Sequence, residues 1–205
     1  MYLFDMDGTL TKEESIPLIA SLSDKCKEIE SITRFALSGD GDYENNLRRR
    51  IDLLKHIPID KASSIVETIP LRQEIVDFIK CHKESCAIVT SNLDCWVEKL
   101  LSTLGCKSFT SKAIVDGNRI CSLSYILKKE EIVEQYRRSG KKVVFVGDGK
   151  NDLPALLKAD ISIAFLASAY CDKSLADVCN YTCEDTESLL NTLQTIEQKY
   201  KLWPE

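Results

Sequence analysis

Two carboxylates stand two residues apart in Asp5-Met6-Asp7-Gly8-Thr9, directly after the apolar run Tyr2 to Phe4. At a strand end such a pair can divide its labour. One carboxylate attacks phosphorus and helps hold a cation, while the other protonates the leaving oxygen and later takes a proton from the attacking water. The Asp-x-Asp spacing alone is shared with calcium loops and ordinary turns; the strand before it and the Gly-Thr after it sharpen the reading. A second acidic loop, Gly147-Asp148-Gly149-Lys150-Asn151-Asp152, follows Val143 to Val146. Asp148 suits the same hard cation, with Asp152 behind it, because magnesium takes a few carboxylates together with water and phosphate oxygens. Thr90, after Cys86 to Val89, offers a hydroxyl donor for a phosphate oxygen. Lys129, just ahead of the helical stretch Glu130 to Arg138, offers a cation to balance nucleophile and phosphate. Singly, these two read as readily as a strand-end threonine and a solvated lysine. As a set, anionic nucleophile, magnesium, hydroxyl and ammonium are what phosphoryl transfer to a carboxylate requires, since catalysis there is mainly charge neutralisation and alignment.

Asp5, Thr90 and the Gly147-Asp148 pair each follow a short apolar run, and the runs say what must position them. Tyr2 to Phe4, Cys86 to Val89, Val143 to Val146 and Ile161 to Phe165 do not alternate with polar residues, the pattern of strands buried on both faces of a parallel sheet. Amphipathic stretches lie between them: Trp96 to Leu104 before Gly105, Glu130 to Arg138 before Gly140, and Leu153 to Lys158. The alternation predicts an α/β fold, a doubly wound (Rossmann-like), mostly parallel sheet, with Asp5, Thr90 and Asp148 at the carboxyl ends of its strands, where such sheets bind ligands. The long stretch between the first and second strands holds helical pattern and no strand. Residues 12–71 are therefore expected to form a small helical cap, inserted into a core made of 1–11 and 72–205. Asp116-Gly117, inside Ala113 to Leu123, predicts a two-residue hairpin turn, and Thr186 to Tyr200 a closing helix.

Composition bounds the partners. The chain has 205 residues and a formal net charge of −5, which argues against nucleic acid or an anionic membrane as the main partner. No run reaches the roughly 18 to 20 apolar residues of a membrane span, and the start, Met1-Tyr2-Leu3-Phe4-Asp5, has no export pattern, so a cytoplasmic protein is expected. Nine cysteines and two histidines show no C-x-x-C spacing, which fits reduced thiols better than a zinc or redox centre. Gly39 to Glu44 superficially resembles a calcium loop; without the later bidentate Glu and the glycine spacing it reads as an exposed turn.

In their order along the chain, Asp5 to Thr9, Thr90, Lys129 and Gly147 to Asp152 resemble the four motifs of the haloacid-dehalogenase superfamily of phosphohydrolases. The resemblance implies Asp5 as nucleophile and Asp7 as acid/base. It implies Mg²⁺ held by Asp5, the backbone carbonyl of Asp7 and Asp148, with Asp152 in support. Phosphate would be bound by Thr90 and Lys129, with Asn151 beside them. Within the superfamily the chain is similar to the phosphoserine phosphatases of serine biosynthesis, whose cap carries a Glu for the substrate amine and an Arg for its carboxylate. Glu14 and Arg50 stand in those places, and Leu37 and Tyr43 where the family puts apolar residues over the substrate. Along the helix that contains them, Leu47, Ile51 and Leu54 form the apolar stripe; Arg49 points nearly opposite, Arg48 to one side, and Arg50 flanks the stripe. The chain departs from the family pattern twice. It has Thr90-Ser91-Asn92 where Ser-Gly-Gly is usual, so Ser91 and Asn92 are expected to touch and crowd the substrate. It also has Gly8 where close relatives often carry Ser.

The expected activity is thus hydrolysis of a small phosphomonoester, O-phosphoserine first among them. A phosphotransferase or mutase on the same scaffold is the alternative, and a phospho-accepting signalling receiver is the non-enzymatic one. Receivers lack an acid/base two residues past the nucleophile, so Asp7 separates the readings. A monomer and a homodimer are both compatible with the sequence.

Overall fold

The computed structural model describes residues 1–37 and 43–200, with the side chains of 33–37 set aside. In chain order, β1 (Tyr2–Phe4) is followed by four helices, α1 (Ser15–Ala20), α2 (Cys26–Leu37), α3 (Tyr43–Leu54) and α4 (Ile59–Val66). Then come α5 (Gln73–Cys81), β2 (Cys86–Leu93), α6 (Asp94–Ser102), β3 (Lys107–Asp116), β4 (Arg119–Tyr125) and α7 (Lys129–Arg138). The chain continues through β5 (Val144–Gly147), α8 (Leu153–Lys158), β6 (Ile161–Phe165) and β7 (Tyr181–Cys183) to α9 (Thr186–Tyr200).

The strands form one seven-stranded sheet in the order β4-β3-β2-β1-β5-β6-β7. All pairings are parallel except β3 with β4. Successive side chains of a strand face opposite ways, and the two faces feed two cores. Tyr2 and Phe4 of β1, with Val144 and Val146 of β5, pack toward α5, α6 and α9; Leu3 and Phe145 pack toward α7 and α8. With both faces dry, every position of the central strands must be apolar, which is why they read as unbroken runs. This is the doubly wound α/β architecture expected.

Three details differ from the expectation. β2 does not stop at Val89: it runs on through Thr90, Ser91 and Asn92 to Leu93, all buried, with an irregularity in its pairing to β3 between Val89 and Leu93. The hairpin turn falls one residue later, at Gly117-Asn118, because Asp116 still pairs with Arg119. Gly117 takes the positive φ of 54°, and Asn118 is drawn onto α4. Its carbonyl accepts from Ile59 N at 3.0 Å and its Oδ1 from Asp60 N at 2.9 Å, while its Nδ2 donates to Asp60 Oδ1 at 2.7 Å. The hairpin tip thus satisfies orphan amides at the start of a helix that has no side-chain cap of its own. Third, β7 is a short, partly exposed edge strand without an apolar run to announce it.

Between β1 and α5 the described residues form helices α1 to α4, and the two chain ends meet at an isolated antiparallel bridge between Thr11 and Leu71. Arg72 N donates to Leu10 O and Lys12 N to Pro70 O, each at 2.9 Å. The turn expected at Gly39 to Glu44 falls largely on 38–42, outside the described residues, as does the side chain of Leu37. No described helix is long and apolar enough to cross a membrane.

Candidate active site

The parallel pairing of β1 with β5 puts Phe4 level with Val146, so Asp5 and the Gly147-Asp148 loop leave the sheet side by side. Asp5 N still donates to Val146 O at 2.9 Å. The chain then turns at Gly8, at φ 74°. A Cβ there would run into the Asp148 carboxylate, so the close approach of the two loops requires glycine at this turn.

Lys129 begins α7 and is 3% exposed. Its Nζ lies 2.5 Å from Asp5 Oδ1 and 2.7 Å from Asp152 Oδ1. Asp152 Oδ2 accepts from the amides of Asp148 and Gly149, both at 3.1 Å, so this carboxylate aims Lys129 and closes the acidic loop at once. Ser168 Oγ donates to Asp148 Oδ2 at 2.6 Å. Asp7 has partners of its own: Ser15 donates to it through N at 3.0 Å and Oγ at 2.9 Å, and Asn92 Nδ2 at 3.2 Å. Thr90 Oγ1 accepts from Asn92 N at 3.2 Å, which leaves the threonine proton to be donated elsewhere.

Glu14, before α1, and Tyr43 and Arg50 of α3 line the same cavity. Arg50 is buried, with Nε 3.4 Å from Asn46 O and its guanidinium 6.0 Å from the Tyr43 ring centre. Arg48 and Arg49 are exposed and pair with Glu44 and Glu28 at 2.8 and 3.5 Å. Tyr43 hydrogen-bonds the Ser91 side chain, and Ser91 Oγ donates to Leu127 O at 3.1 Å. Among the described side chains, every residue expected in the site except Asp152 lines one cavity, joined there by Ile16 and Leu47. Asp152 lies directly behind the cavity, fully buried. Ser91 and Asn92 both line the cavity; Ser91 is bonded to Tyr43 and Leu127, and Asn92 to Asp7 and Ser15.

The electrostatics are those of an acidic pocket short of positive charge. Burial pushes the Asp5 carboxyl well above its ordinary value, repulsion from Asp152 adds to this, and Lys129 opposes it. Burial and Asp152 likewise push Asp148 up to about 7, against the Ser168 hydrogen bond. Glu14 is raised well above the usual range by burial and by Asp7, Asp148 and Asp5, with Arg50 pulling the other way. Asp7 is raised by burial, though its Ser15 and Asn92 bonds favour the anion. Burial works against a charged Lys129, but Asp152 and Asp5 outweigh it and hold its ammonium above the ordinary lysine value. The cavity wall carries four carboxylates, Asp5, Asp7, Glu14 and Asp148, against two cations, Arg50 and Lys129. Oxygens of Asp5, Asp148 and Asp152 lie within 4.8 Å of one another. Such a set of hard, buried oxygens fits a divalent metal ion, which would relieve the repulsion that raises Asp5 and Asp148.

Three supporting residues carried no signal in the sequence. Ser15 and Ser168 are serines of ordinary context, recognisable only by the carboxylates they meet. Arg72 is buried, and its Nη2 donates to Gly8 O and Ala167 O, both at 3.3 Å, tying the Asp5 loop to the segment after β6. All nine cysteines are free thiols.

Comparison with known proteins agrees with this geometry. The haloacid dehalogenase-like hydrolase family matches residues 1–160. The phosphoserine phosphatase of Methanocaldococcus jannaschii is 32% identical over 192 residues, covering 87% of this chain and 90% of that protein. That of Campylobacter jejuni subsp. doylei is 27% identical over 190 residues, covering 86% and 91%. A solved structure of a phospho-aspartyl intermediate analogue of phosphoserine phosphatase superposes with a TM-score of 0.80 at 29% identity, covering 93% of this chain and 97% of that one. A substrate-bound phosphoserine phosphatase complex does so with 0.80 at 28%, covering 95% and 96%. Matched across most of its length, with the motif residues gathered at the carboxyl ends of a parallel sheet, the chain belongs to the haloacid dehalogenase-like hydrolases.

Proposed function

We propose that this phosphatase hydrolyses O-phosphoserine with Mg²⁺, Asp5 acting as nucleophile and Asp7 as acid/base. The chain divides, on this reading, into a core of 1–11 and 72–205 and a helical cap of 12–71. The observation that carries the proposal is the charge layout of one cavity. A nucleophilic carboxylate with its ammonium partner lines the cavity together with Glu14 and Arg50, which come from the segment between β1 and α5. A substrate with phosphate at one end and an amine and a carboxylate at the other matches that layout.

Asp5 attacks phosphorus while the serine oxygen leaves with a proton from Asp7, giving serine and an aspartyl-phosphate. Asp7, now anionic, takes a proton from water. The water oxygen attacks phosphorus, the bond to Asp5 breaks, and inorganic phosphate departs with the nucleophile restored. Asp5, the Asp7 carbonyl and Asp148 would hold the metal, with Asp152 behind them; bound, it would neutralise charge on the transferring phosphoryl group. Lys129 and Thr90 hold phosphate oxygens, and Asn151 flanks them. Lys129 also fixes the direction of the Asp5 carboxylate through Oδ1.

The test is substrate-selective loss. Arg50→Ala should cut kcat/KM on phosphoserine about ten- to a hundredfold, the scale of one lost charged hydrogen bond of about 1.5 to 3 kcal/mol. It should leave p-nitrophenyl phosphate, which has no carboxylate, nearly unaffected. Glu14→Gln should show the same selectivity through the amine, and Arg49→Ala should do little. Equal losses on both substrates would make Arg50 a support of α3 rather than a reader of substrate. Negligible phosphoserine turnover by the wild type would leave the phosphatase without this substrate.

A further inference from the structure

The end of β2 carries a polar side chain bonded to the protein on both sides of its amide. Asn92 is 4% exposed and holds its own amide in place, since Oδ1 accepts from Leu93 N at 2.9 Å. That bond fixes which end of the amide is which and turns Nδ2 toward Asp7. There it donates to Asp7 Oδ2 at 3.2 Å and makes a short bond to Ser15 Oγ. Ser15 Oγ in turn donates a hydrogen bond to the same Oδ2, and Ser15 N donates to Oδ1. Three donors from two distant parts of the chain therefore grip both oxygens of one carboxylate. An aspartate joined to the backbone by a single methylene turns easily about its last bond, and an acid/base off line by about 1 Å can lose about a hundredfold in rate.

We infer that Asn92 is a positioning residue for Asp7, clasping it together with Ser15 so that the acid/base faces the leaving oxygen before substrate arrives. The inference rests on the acid/base role proposed for Asp7. It separates Asn92 from the substrate-contacting role that its place in the second motif suggests. Its side chain is spent on the catalytic carboxylate, and it acts through that carboxylate alone. A smaller residue at 92 would leave Ser15 to hold Asp7 from one side only.

The test is a double-mutant cycle read by single-turnover kinetics on phenyl phosphate and p-nitrophenyl phosphate, which differ in how much protonation their leaving groups need. Asn92→Ala should slow enzyme phosphorylation by phenyl phosphate roughly tenfold, with a smaller effect on p-nitrophenyl phosphate and little change in KM. Added to Asp7→Asn, it should slow the reaction by no more than about twofold further, because the group it positions is already disabled. Ser15→Ala should show the same non-additivity, and near-ultraviolet circular dichroism of each variant checks that it is folded. A full additional tenfold loss in the Asp7→Asn background, or a raised KM with unchanged phosphorylation rate, would overturn the inference, since Asn92 would then act on substrate directly. A crippled Asp7→Asn beside a fully active Asn92→Ala would overturn it alone. An Asp7→Asn protein with full turnover would overturn the acid/base reading and the inference with it.

Discussion

The Asp5 carboxylate is the point where charge, burial and chemistry meet. It is almost fully buried against Asp152 and Asp148, with Lys129 as its compensating cation. An amide of the same shape removes one member of a mutually repelling cluster and leaves Lys129 its bond to Asp152. Asp5→Asn should therefore abolish turnover, by about 10⁴-fold or more, while the metal-free protein keeps or raises its melting temperature. Phosphate release and thermal denaturation of the same preparation check both halves. A folded Asp5→Asn protein that still turns over at the wild-type rate would refute the mechanism. Lys129 differs: its removal leaves two buried carboxylates facing each other without their cation, so the same protein would lose stability as well as rate.

Among the elements, the β3–β4 hairpin does more than extend the sheet. Its tip residue Asn118 serves α4 as a cap from another part of the chain, and α4 is further tied to α6 through Glu67 and Lys99 at 3.5 Å. Asn118→Ala removes the acceptor for Asp60 N and the donor to Asp60 Oδ1. The expected cost is about 1 kcal/mol, as for other N-cap deletions, a fall of roughly 2 to 4 °C in melting temperature for a chain of this size. Since Asn118 does not line the active-site cavity, kcat on p-nitrophenyl phosphate should hold. Calorimetry with parallel kinetics tests this, and an unchanged melting temperature would mean that water replaces the cap at no cost.

For the molecule as a whole, the site is buried in a cavity of about 40 Å³ beneath α1 and α3. The same burial makes stability depend on metal and pH together. Asp148 has a carboxyl pushed up to about 7 by burial and Asp152, against about 3.9 in an unfolded chain. With the folded value raised, the contribution to stability is complete below about pH 4 and is lost as pH rises through about 7. A bound divalent ion favours the ionised form and cancels that loss. The melting-temperature gap between metal-loaded and chelated protein should accordingly widen from pH 5 to pH 8. Scans with Mg²⁺ or a chelator across that range measure it; a gap independent of pH would show that Asp148 is ionised without the metal.

The sequence alone determined the sheet, its helices and the floor of the site. Residues 2–4, 86–89, 143–146 and 161–165 are apolar without interruption because both faces of a central parallel strand are dry, so composition and position coincide. Asp5, Thr90 and Asp148 were legible for a related reason: each follows such a run, and the carboxyl edge of a parallel sheet gathers whatever follows its strands; Lys129 was legible as a basic residue just ahead of a helical stretch. The α9 bounds, Thr186–Tyr200, were legible from amphipathic period alone. Tertiary structure decided the rest. Gly8 is needed because the Asp148 carboxylate, far away in the chain, occupies the space of its missing Cβ. The hairpin turns at Gly117-Asn118 because α4 offers Asn118 its partners, and β7 forms because β6 supplies an edge to pair with. Ser15, Arg72 and Ser168 have no sequence signature, and Asn92 was legible only as a departure within the second motif, since what each does is set by a partner that only folding brings within reach. A hydrogen bond is decided by a few tenths of an ångström between groups distant in sequence, whereas a strand is decided by the burial of neighbours along the chain.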